Sequence, residues 1–253
     1  MRGFLIFILL LQFYSYGQFG EAYTRFPTYF GLQVRSVLPT SLIGEKEWLV
    51  EEDNYSSTIF QKPGYSFGGV LRIGLTELIA LETGINFTQR YYGVKFALPD
   101  SSIFGERSFG FIQYDIPING LIYVKFNDKF FMNASLGVAA TYKPSSAGII
   151  TNPFGKHEFF HLGLVDIKKK IGADINANVG FEYRTKRKGF FYIGGSIRLP
   201  LAPMFIMVSR YQNVNYRITA TGDIGGNYIS LDLRYFFHNS GGLGRYAPHG
   251  PIE

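Results

Sequence analysis

Hydrophobic and polar residues alternate strictly near the C-terminal end of the chain, over residues 227–237. One face of this stretch carries Ile229, Leu231, Leu233, Tyr235 and Phe237, and the other carries Tyr228, Ser230, Asp232, Arg234 and Phe236. A period of two predicts a β-strand with one apolar and one polar face. The polar face holds an acid and a base, and the stretch ends in three aromatic residues. This combination is typical of the closing strand of a membrane barrel whose apolar face meets lipid.

Seven earlier segments alternate in the same way and predict the remaining strands of the barrel. They cover approximately residues 29–38, 65–75, 79–92, 111–126, 130–142, 173–184 and 190–199. The expected fold is therefore all-β, a transmembrane antiparallel up-and-down barrel of eight strands. Residues 213–220 also alternate and would support a count of ten. A soluble antiparallel barrel is the alternative fold. Pro117 falls inside the fourth strand and predicts a local bulge, because proline cannot donate to a β-ladder.

Connections between these strands alternate between short and long. Tight turns are expected near Thr76, Asn127 and Lys186, while the long segments cover residues 39–63, 99–108, 143–171 and 200–226. In bacterial outer-membrane barrels the short turns face the periplasm and the long loops face outside. An even strand count then places both termini in the periplasm.

The chain begins with a segment that resembles a secretory signal. Arg2 supplies a positive start, residues 4–13 form an apolar run, and residues 15–17 have a small-x-small cleavage pattern. We therefore expect a signal peptide at residues 1–17, an outer-membrane barrel at 18–237, and a flexible periplasmic tail at 238–253. The tail is rich in glycine and proline, which disfavour regular structure.

The composition agrees with an exported barrel and removes several other classes. Of the 253 residues 17% are aromatic, and there is no cysteine, which excludes a disulfide framework and a cysteine-ligated metal. The net charge of +6 is concentrated at residues 168–170 and 186–188, in expected loops and turns. No nucleic-acid-binding module accompanies these clusters, so we expect no nucleic-acid partner.

Charged residues recur on the faces that should point into the barrel. The expected inward cations are Arg35, Arg72, Arg90, Lys125, Arg184, Arg198 and Arg234, and the expected inward acids are Glu82, Asp115, Asp174, Glu182 and Asp232. An eight-stranded barrel is just wide enough to be filled by side chains. Buried charges must pair, so the near balance of signs predicts an ion-pair core and disfavours an open pore.

One short motif carries potential chemistry. Residues 157–161 read His-Glu-Phe-Phe-His, which matches H-E-x-x-H. On a helix, His157 and His161 would bind zinc and Glu158 would act as general base. The motif falls in an expected loop, and the extended form of the motif is absent because residue 164 is leucine. We therefore assign no catalytic, cofactor or metal site, and retain His157 and His161 only as metal candidates.

The sequence resembles one family in several places at once. The exported start with its Gly17-Gln18 junction, the glycine-containing first strand, residues 113–118 (Gln-Tyr-Asp-Ile-Pro-Ile) and residues 231–236 (Leu-Asp-Leu-Arg-Tyr-Phe) carry the likeness. They resemble the outer-membrane β-barrel family of Bacteroidota that includes PorT-like proteins. The resemblance implies an outer-membrane barrel and, more weakly, a role connected with type 9 secretion or gliding.

These observations favour a non-enzymatic outer-membrane barrel that acts as an accessory or scaffold subunit of a cell-envelope complex. Its expected surroundings are outer-membrane lipid and envelope proteins, contacted through the external loops or the C-terminal tail, with no cofactor. Two other functions stay open from the sequence: a surface-loop zinc metalloenzyme using His157, Glu158 and His161, and a small passive porin.

Overall fold

The computed structural model describes residues 27–42, 44–76, 78–98, 103–152, 157–167, 170–185 and 188–238. The signal peptide expected at residues 1–17 and almost all of the tail expected at 238–253 lie outside these ranges. Within them, no helix is long and apolar enough to cross a membrane. The described strands are β1 (Tyr29–Pro39), β2 (Glu47–Glu52), β3 (Tyr55–Gly74), β4 (Ile79–Leu98), β5 (Ile103–Lys125), β6 (Phe130–Tyr142), β7 (Ala147–Thr151), β8 (Glu158–Leu164), β9 (Ile171–Arg184), β10 (Phe190–Pro200), β11 (Phe205–Gln212), β12 (Arg217–Ile224) and β13 (Tyr228–Phe236).

Eight of these strands close into an antiparallel barrel. Their order around the barrel is β1-β13-β10-β9-β6-β5-β4-β3, and the circle is completed because β3 also pairs with β1. The predicted count of eight is confirmed. Residues 213–220 would have supported ten strands, but only residues 217–220 are in a strand, β12, which pairs with β11 outside the barrel.

The barrel has a short-turn end and a long-connection end. The short connections from β3 to β4, from β5 to β6 and from β9 to β10 join strand ends that lie at the first end, together with the start of β1 and the end of β13. All four long connections lie at the opposite end. The predicted alternation of short and long connections is therefore confirmed within the described residues.

An apolar belt covers the outside of the barrel. Seven aliphatic side chains from different barrel strands are each at least half exposed: Leu32, Ile85, Ile118, Val138, Val179, Ile193 and Leu231. Outward aromatic rings cluster at the short-turn end, where Phe30 stacks on Phe237 with ring centroids 5.9 Å apart. An outward apolar belt with an aromatic girdle and a polar interior is the architecture of a transmembrane β-barrel.

Three strands continue past the barrel at the long-connection end. β3 and β4 have 20 residues each and β5 has 23. The sequence-based boundaries at residues 65, 92 and 111 were wrong by between six and ten residues, because residues 55–64, 93–98 and 103–110 also belong to these strands. The expected loops at 39–63 and 99–108 are therefore largely strand.

The missed strand segments have the reverse polarity of the barrel. Above the barrel, outward positions are polar or mixed, as at Thr58 and Lys95, while inward positions such as Ile59 and Val94 are fully buried and apolar. An alternation of apolar-out and polar-in residues identifies a lipid-facing strand, so it does not find a strand whose apolar face points inward.

A second sheet forms from the two longest connections. Its order is β12-β11-β8-β7, with all pairs antiparallel. Residues 143–171 and 200–226, which the sequence suggested were loops, thus contain four strands. The sheet faces the extended parts of β3, β4 and β5 and the added strand β2, and together they form what we call the outer sandwich. Its core contains buried apolar residues from both sheets, including Ile59, Tyr92, Phe111, Phe205 and Met207.

The predicted bulge at Pro117 is not present. The register of β5 against β4 is the same on both sides of Pro117, and Pro117 pairs in register with Ala139 of β6. The register of the barrel shifts instead between Lys62 and Tyr65 of β3. Pro63 lies there, at the level where the barrel becomes the outer sandwich, so the proline-linked irregularity marks the boundary between the two.

Candidate functional site

A continuous chain of buried ion pairs fills the lower lumen, toward the short-turn end. In this ion chain acids and bases alternate, and most members come from different strands: Arg184, Glu182, Arg72, Glu82, Arg234, Asp232 and Arg35. The distances include 2.8 Å from Arg72 Nη2 to Glu82 Oε2 and 3.0 Å from Arg234 Nη2 to Asp232 Oδ2. Each carboxylate contacts two guanidinium groups, so the three acids are shared among the four arginines.

A second group of paired charges lies higher in the lumen. Arg198 Nη2 is 3.0 Å from Asp115 Oδ1, and Arg198 Nη1 is 3.6 Å from Asp174 Oδ2. Asp115 also accepts hydrogen bonds from Asn86 Nδ2 at 3.0 Å and from Thr88 Oγ1 at 3.2 Å. Buried amides and hydroxyls thus satisfy acceptor positions that the arginines leave free, as buried polar networks require.

Aromatic rings and apolar side chains close both ends of this polar interior. At the short-turn end, the guanidinium carbon of Arg72 is 4.2 Å from the ring centroid of Phe236, and that of Arg184 is 4.3 Å from Phe131. At the other end lies the apolar core of the outer sandwich. Side chains therefore occupy the lumen along its length, in agreement with the predicted ion-pair core.

Eleven of the twelve charges predicted to point inward are buried, and Lys125 is the exception. Its side chain is half exposed and pairs with Asp128 in the adjoining turn at 2.8 Å. Lys125 is the last residue of β5 and lies at the short-turn rim. The alternation of inward and outward side chains ends there, so Lys125 does not point into the lumen.

The residues of the H-E-x-x-H motif do not form a zinc site. Glu158 and His161 belong to strand β8, and His157 immediately precedes it, whereas the motif requires a helix. Positions four apart on a strand are separated by about 13 Å, too far for both histidines to bind one ion. Glu158 points to the opposite face and is exposed. Among the described residues, no group of three or more potential ligands could hold a metal ion.

Both histidines instead bind tyrosine hydroxyls in the outer sandwich. His161 Nε2 is 2.9 Å from Tyr55 Oη, and His157 Nδ1 is 2.7 Å from Tyr211 Oη. Burial lowers the pKa of His161 to about 4, because the charged imidazolium would lose its hydration. Burial likewise raises the pKa of Tyr55 to about 12. Both groups are therefore neutral at pH 7, and their contact links β3 to β8.

Arg90 differs from the other inward arginines. It is buried where the barrel meets the outer sandwich, yet within the described residues no carboxylate oxygen lies within salt-bridge distance. Its Nη2 donates to the carbonyl oxygen of Gly226 at 2.6 Å and to Gln61 Oε1 at 3.3 Å. The Tyr228 ring centroid lies 4.9 Å from the guanidinium carbon.

A cavity of about 90 Å³ adjoins Arg90, and we call it the rim pocket. Its polar lining includes Arg90, Gln113, Lys143 and Asp174, and its apolar lining includes Ala202 and Met204. The alternation predicts that Arg90 and Asp174 point inward, but nothing in the sequence connects the two. Lys143 was not expected at this place, because it follows the end of β6 and no alternation marks its direction.

Comparison with protein-family models and with curated proteins gives no match. The resemblance to the PorT-like barrel family of Bacteroidota therefore stays a prediction. Solved structures do show similarity in fold. The outer membrane protein OprG from Pseudomonas aeruginosa aligns with a TM-score of 0.49 and 10% identity, over 85% of this chain and 98% of OprG.

Two further solved structures are more distant. The outer membrane protease OmpT from Escherichia coli has a TM-score of 0.40 and 8% identity, over 86% of this chain and 99% of OmpT. The transport unit of the autotransporter AIDA-I from Escherichia coli has a TM-score of 0.26 and 11% identity, over 84% and 90% of the two chains. No function follows from likenesses at this level, and the barrel assignment rests on the strand pairing itself.

Proposed function

We propose that this chain is an integral outer-membrane barrel that performs no catalysis and serves as an accessory or scaffold subunit of a cell-envelope complex. The observation that carries the proposal is that the lumen is filled while one external sheet face is apolar. A secretion or gliding machine is the form of complex that the PorT-like resemblance suggests. In the usual orientation of bacterial outer-membrane barrels, the short turns face the periplasm, and the outer sandwich would then lie outside the cell.

The filled lumen argues against transport through the barrel. Opening a path would require separating arginines and carboxylates that are each almost fully buried. Removing one partner of such a pair exposes the other to a medium that solvates it poorly, at a cost of roughly 3–5 kcal/mol. A passive porin would need a water-filled interior, so the porin alternative lacks support.

The partner-binding surface in this proposal is the outward face of the second sheet. This outer-sheet face consists mainly of adjacent apolar side chains on three neighbouring strands: Ile150, Phe160, Leu162, Leu164, Ile206 and Val208. Arg210 of β11 lies on the same face, with its guanidinium carbon 5.2 Å from the ring centroid of Phe160. On the opposite sheet of the sandwich, outward positions include several polar or charged residues: Ser56, Thr58, Lys62, Lys95, Glu106 and Ser108. The two sides of the same sandwich therefore offer different surfaces.

Polar residues border the outer-sheet face in the manner of a protein interface. Glu158, Gln212 and Arg217 lie at its far edge, and Thr221 and Asp223 continue it onto β12. An apolar patch rimmed by polar groups marks an interaction site, and this combination of apolar centre and polar rim is typical of contacts between proteins. The proposal therefore assigns a protein partner to this face.

Affinity purification from native membranes tests this assignment. Val208→Arg places a charge at the centre of the outer-sheet face, and Thr58→Arg places the same charge on the outward side of the opposite sheet. We expect envelope proteins to co-purify with the wild-type chain and with Thr58→Arg but not with Val208→Arg. Retention of the same partners by Val208→Arg would contradict the proposal. Altered membrane association without loss of partners would identify the face as a lipid contact instead.

Planar-bilayer conductance of the wild-type protein tests the porin alternative separately. Large, stable conductance would support a porin and contradict the filled lumen.

A further inference from the structure

An apolar groove lies on the outside of the barrel at the short-turn end, and we call it the belt groove. Outward aliphatic side chains of β1, β13 and β10 form part of its lining: Leu32, Val34, Leu233 and Ile193. Outward aromatic rings form the rest of its apolar lining: Phe130, Phe181, Tyr183, Phe191 and Tyr235. The aliphatic side chains are shorter than the rings, and the groove has a volume of about 650 Å³. Inward-pointing residues that also border it are almost fully buried: Gln33, Glu182, Tyr192 and Arg234.

Contacts between neighbouring strands hold the aromatic rings of the belt groove in place. The ring centroids of Phe191 and Tyr235 are 4.9 Å apart, and those of Phe130 and Tyr183 are 5.4 Å apart. Tyr235 Oη also donates a hydrogen bond to the carbonyl oxygen of Lys188 at 2.6 Å. The groove is therefore formed before anything binds in it, and a ligand has fewer side chains to order.

Two exposed lysines lie at the rim beside the belt groove. Lys129 directly precedes Phe130 in the chain, and Lys188 is the residue that Tyr235 contacts. Within the ranges that the structure describes, neither ammonium group has a carboxylate within salt-bridge distance, whereas Lys125 on the same rim pairs with Asp128 at 2.8 Å. The rim thus offers positive charge next to an apolar groove.

We propose that the belt groove binds one anionic glycerophospholipid of the membrane. An acyl chain packs in the groove, and the phosphate group contacts the ammonium groups of Lys129 and Lys188. The apolar lining suits hydrocarbon, because burying CH₂ groups against it removes them from polar surroundings. The volume of about 650 Å³ lies within the roughly 300–1,000 Å³ of small-molecule sites. Basic side chains next to the apolar surface suit an anionic headgroup.

The charge at the rim also disfavours a second copy of the chain as the occupant. Two barrels that met through the same groove, about a two-fold axis along the membrane normal, would bring equivalent surfaces together. Lys129 and Lys188 of one copy would then face the same lysines of the other, and like charges across an interface oppose association. A lipid phosphate instead compensates these charges. The belt groove is separate from the outer-sheet face, so this inference stands apart from the proposed function.

Native mass spectrometry of the purified barrel in detergent micelles tests the proposal. Phosphatidylglycerol is the probe, and phosphatidylethanolamine with the same acyl chains is the comparison, because it has no net charge. We expect one bound phosphatidylglycerol, at a concentration about tenfold or more below that needed for phosphatidylethanolamine, the scale of two basic side chains near an anionic lipid. Equal retention of the two lipids, retention of neither, or a lipid-free dimer would contradict the proposal.

One pair of variants tests the groove itself. Ile193→Trp places a large ring in the lining, whereas Ile85→Trp makes the same exchange at an exposed position of the apolar belt on β4, outside the lining. Bound phosphatidylglycerol should be lost in Ile193→Trp and kept in Ile85→Trp. Heat-modifiable gel mobility shows that each variant is folded. Equal phosphatidylglycerol binding by the two folded variants would place the lipid elsewhere and overturn the assignment.

A second comparison tests the rim lysines without changing the groove. The double variant Lys129→Gln with Lys188→Gln should lose the preference for phosphatidylglycerol over phosphatidylethanolamine. Lys125→Gln removes a lysine that pairs with Asp128 on the same rim, and it should keep the preference. A double variant that still prefers phosphatidylglycerol as the wild type does would show that these lysines do not hold the headgroup, and the proposal would be wrong.

Discussion

At the scale of single residues, the most consequential side chains are carboxylates that each serve two arginines. Glu82 contacts Arg72 and Arg234, and Glu182 contacts Arg72 and Arg184. All five side chains are almost completely buried. Loss of one acid therefore leaves two cations undercompensated, which makes the acids more sensitive positions than an isolated pair would be.

We predict that Glu82→Gln destabilises the barrel by roughly 3–5 kcal/mol, the cost of breaking a buried pair from one side. The matched control is Lys125→Gln, which removes a charge from an exposed pair at the rim and should change stability by no more than about 0.5 kcal/mol. Urea unfolding of the refolded protein in lipid vesicles, followed by gel mobility, measures both. Equal effects of the two substitutions would mean that the ion chain contributes nothing specific to stability.

At the scale of elements, the sequence was sufficient wherever a strand separates lipid from a polar lumen. The eight barrel strands were found because their apolar side chains point outward and their charged side chains inward, as in β13. The sequence was insufficient above the barrel, because the segments that form β8 and β11 look like continuous apolar runs or loops of mixed polarity. Strands apolar on both sides lack alternation, and periodicity cannot separate them from other buried segments. The sequence did not predict the rim pocket for another reason, because Arg90, Lys143 and Asp174 are brought together only by the strand pairing.

The contact between β3 and β8 in the outer sandwich should depend on pH through His161. Its pKa is about 4 in the folded protein against an ordinary value of 6.5. The unfolded segment therefore takes up a proton at a higher pH than the folded one does. Stability from this residue is complete above pH 6.5 and is lost as the pH falls toward 4, by up to about 3 kcal/mol.

Hydrogen exchange of β8 amides between pH 7 and pH 4, corrected for the intrinsic exchange rate, measures this loss. Protection should fall with pH in the wild-type protein, while His161→Phe should remove most of the pH dependence and keep a ring in the site. His157→Phe is the matched control, since His157 also contacts a tyrosine hydroxyl, that of Tyr211, but is less buried than His161. Unchanged pH dependence in His161→Phe would assign the effect to other groups.

At the scale of the whole molecule, polarity reverses along the barrel axis. In the barrel, outward residues such as Leu231 are apolar and inward residues such as Asp232 are charged. In the outer sandwich, inward residues such as Ile59 are apolar, and outward residues such as Thr58 are polar on the sheet that continues the barrel. The reversal coincides with the register shift near Pro63. One chain thus meets two solvents, lipid around the barrel and water around the sandwich, and the outer-sheet face is the exception that the proposed partner covers.

This reversal predicts how the cost of a surface charge depends on its height. Leu231→Arg introduces a cation at a half-exposed position in the apolar belt, where burial in hydrocarbon should cost about 2–4 kcal/mol. Thr58→Arg introduces the same group on the outward side of β3 beyond the belt, where water solvates it and the cost should be about 0–1 kcal/mol. Reversible unfolding in lipid vesicles gives both values. A soluble barrel would meet water at both positions and would tolerate both substitutions alike. Equal costs in vesicles would therefore place the belt outside the membrane. A difference of the expected size fixes the lipid boundary between the level of Leu231 and that of Thr58, because the two substitutions share the same side chain and differ in the solvent that it meets.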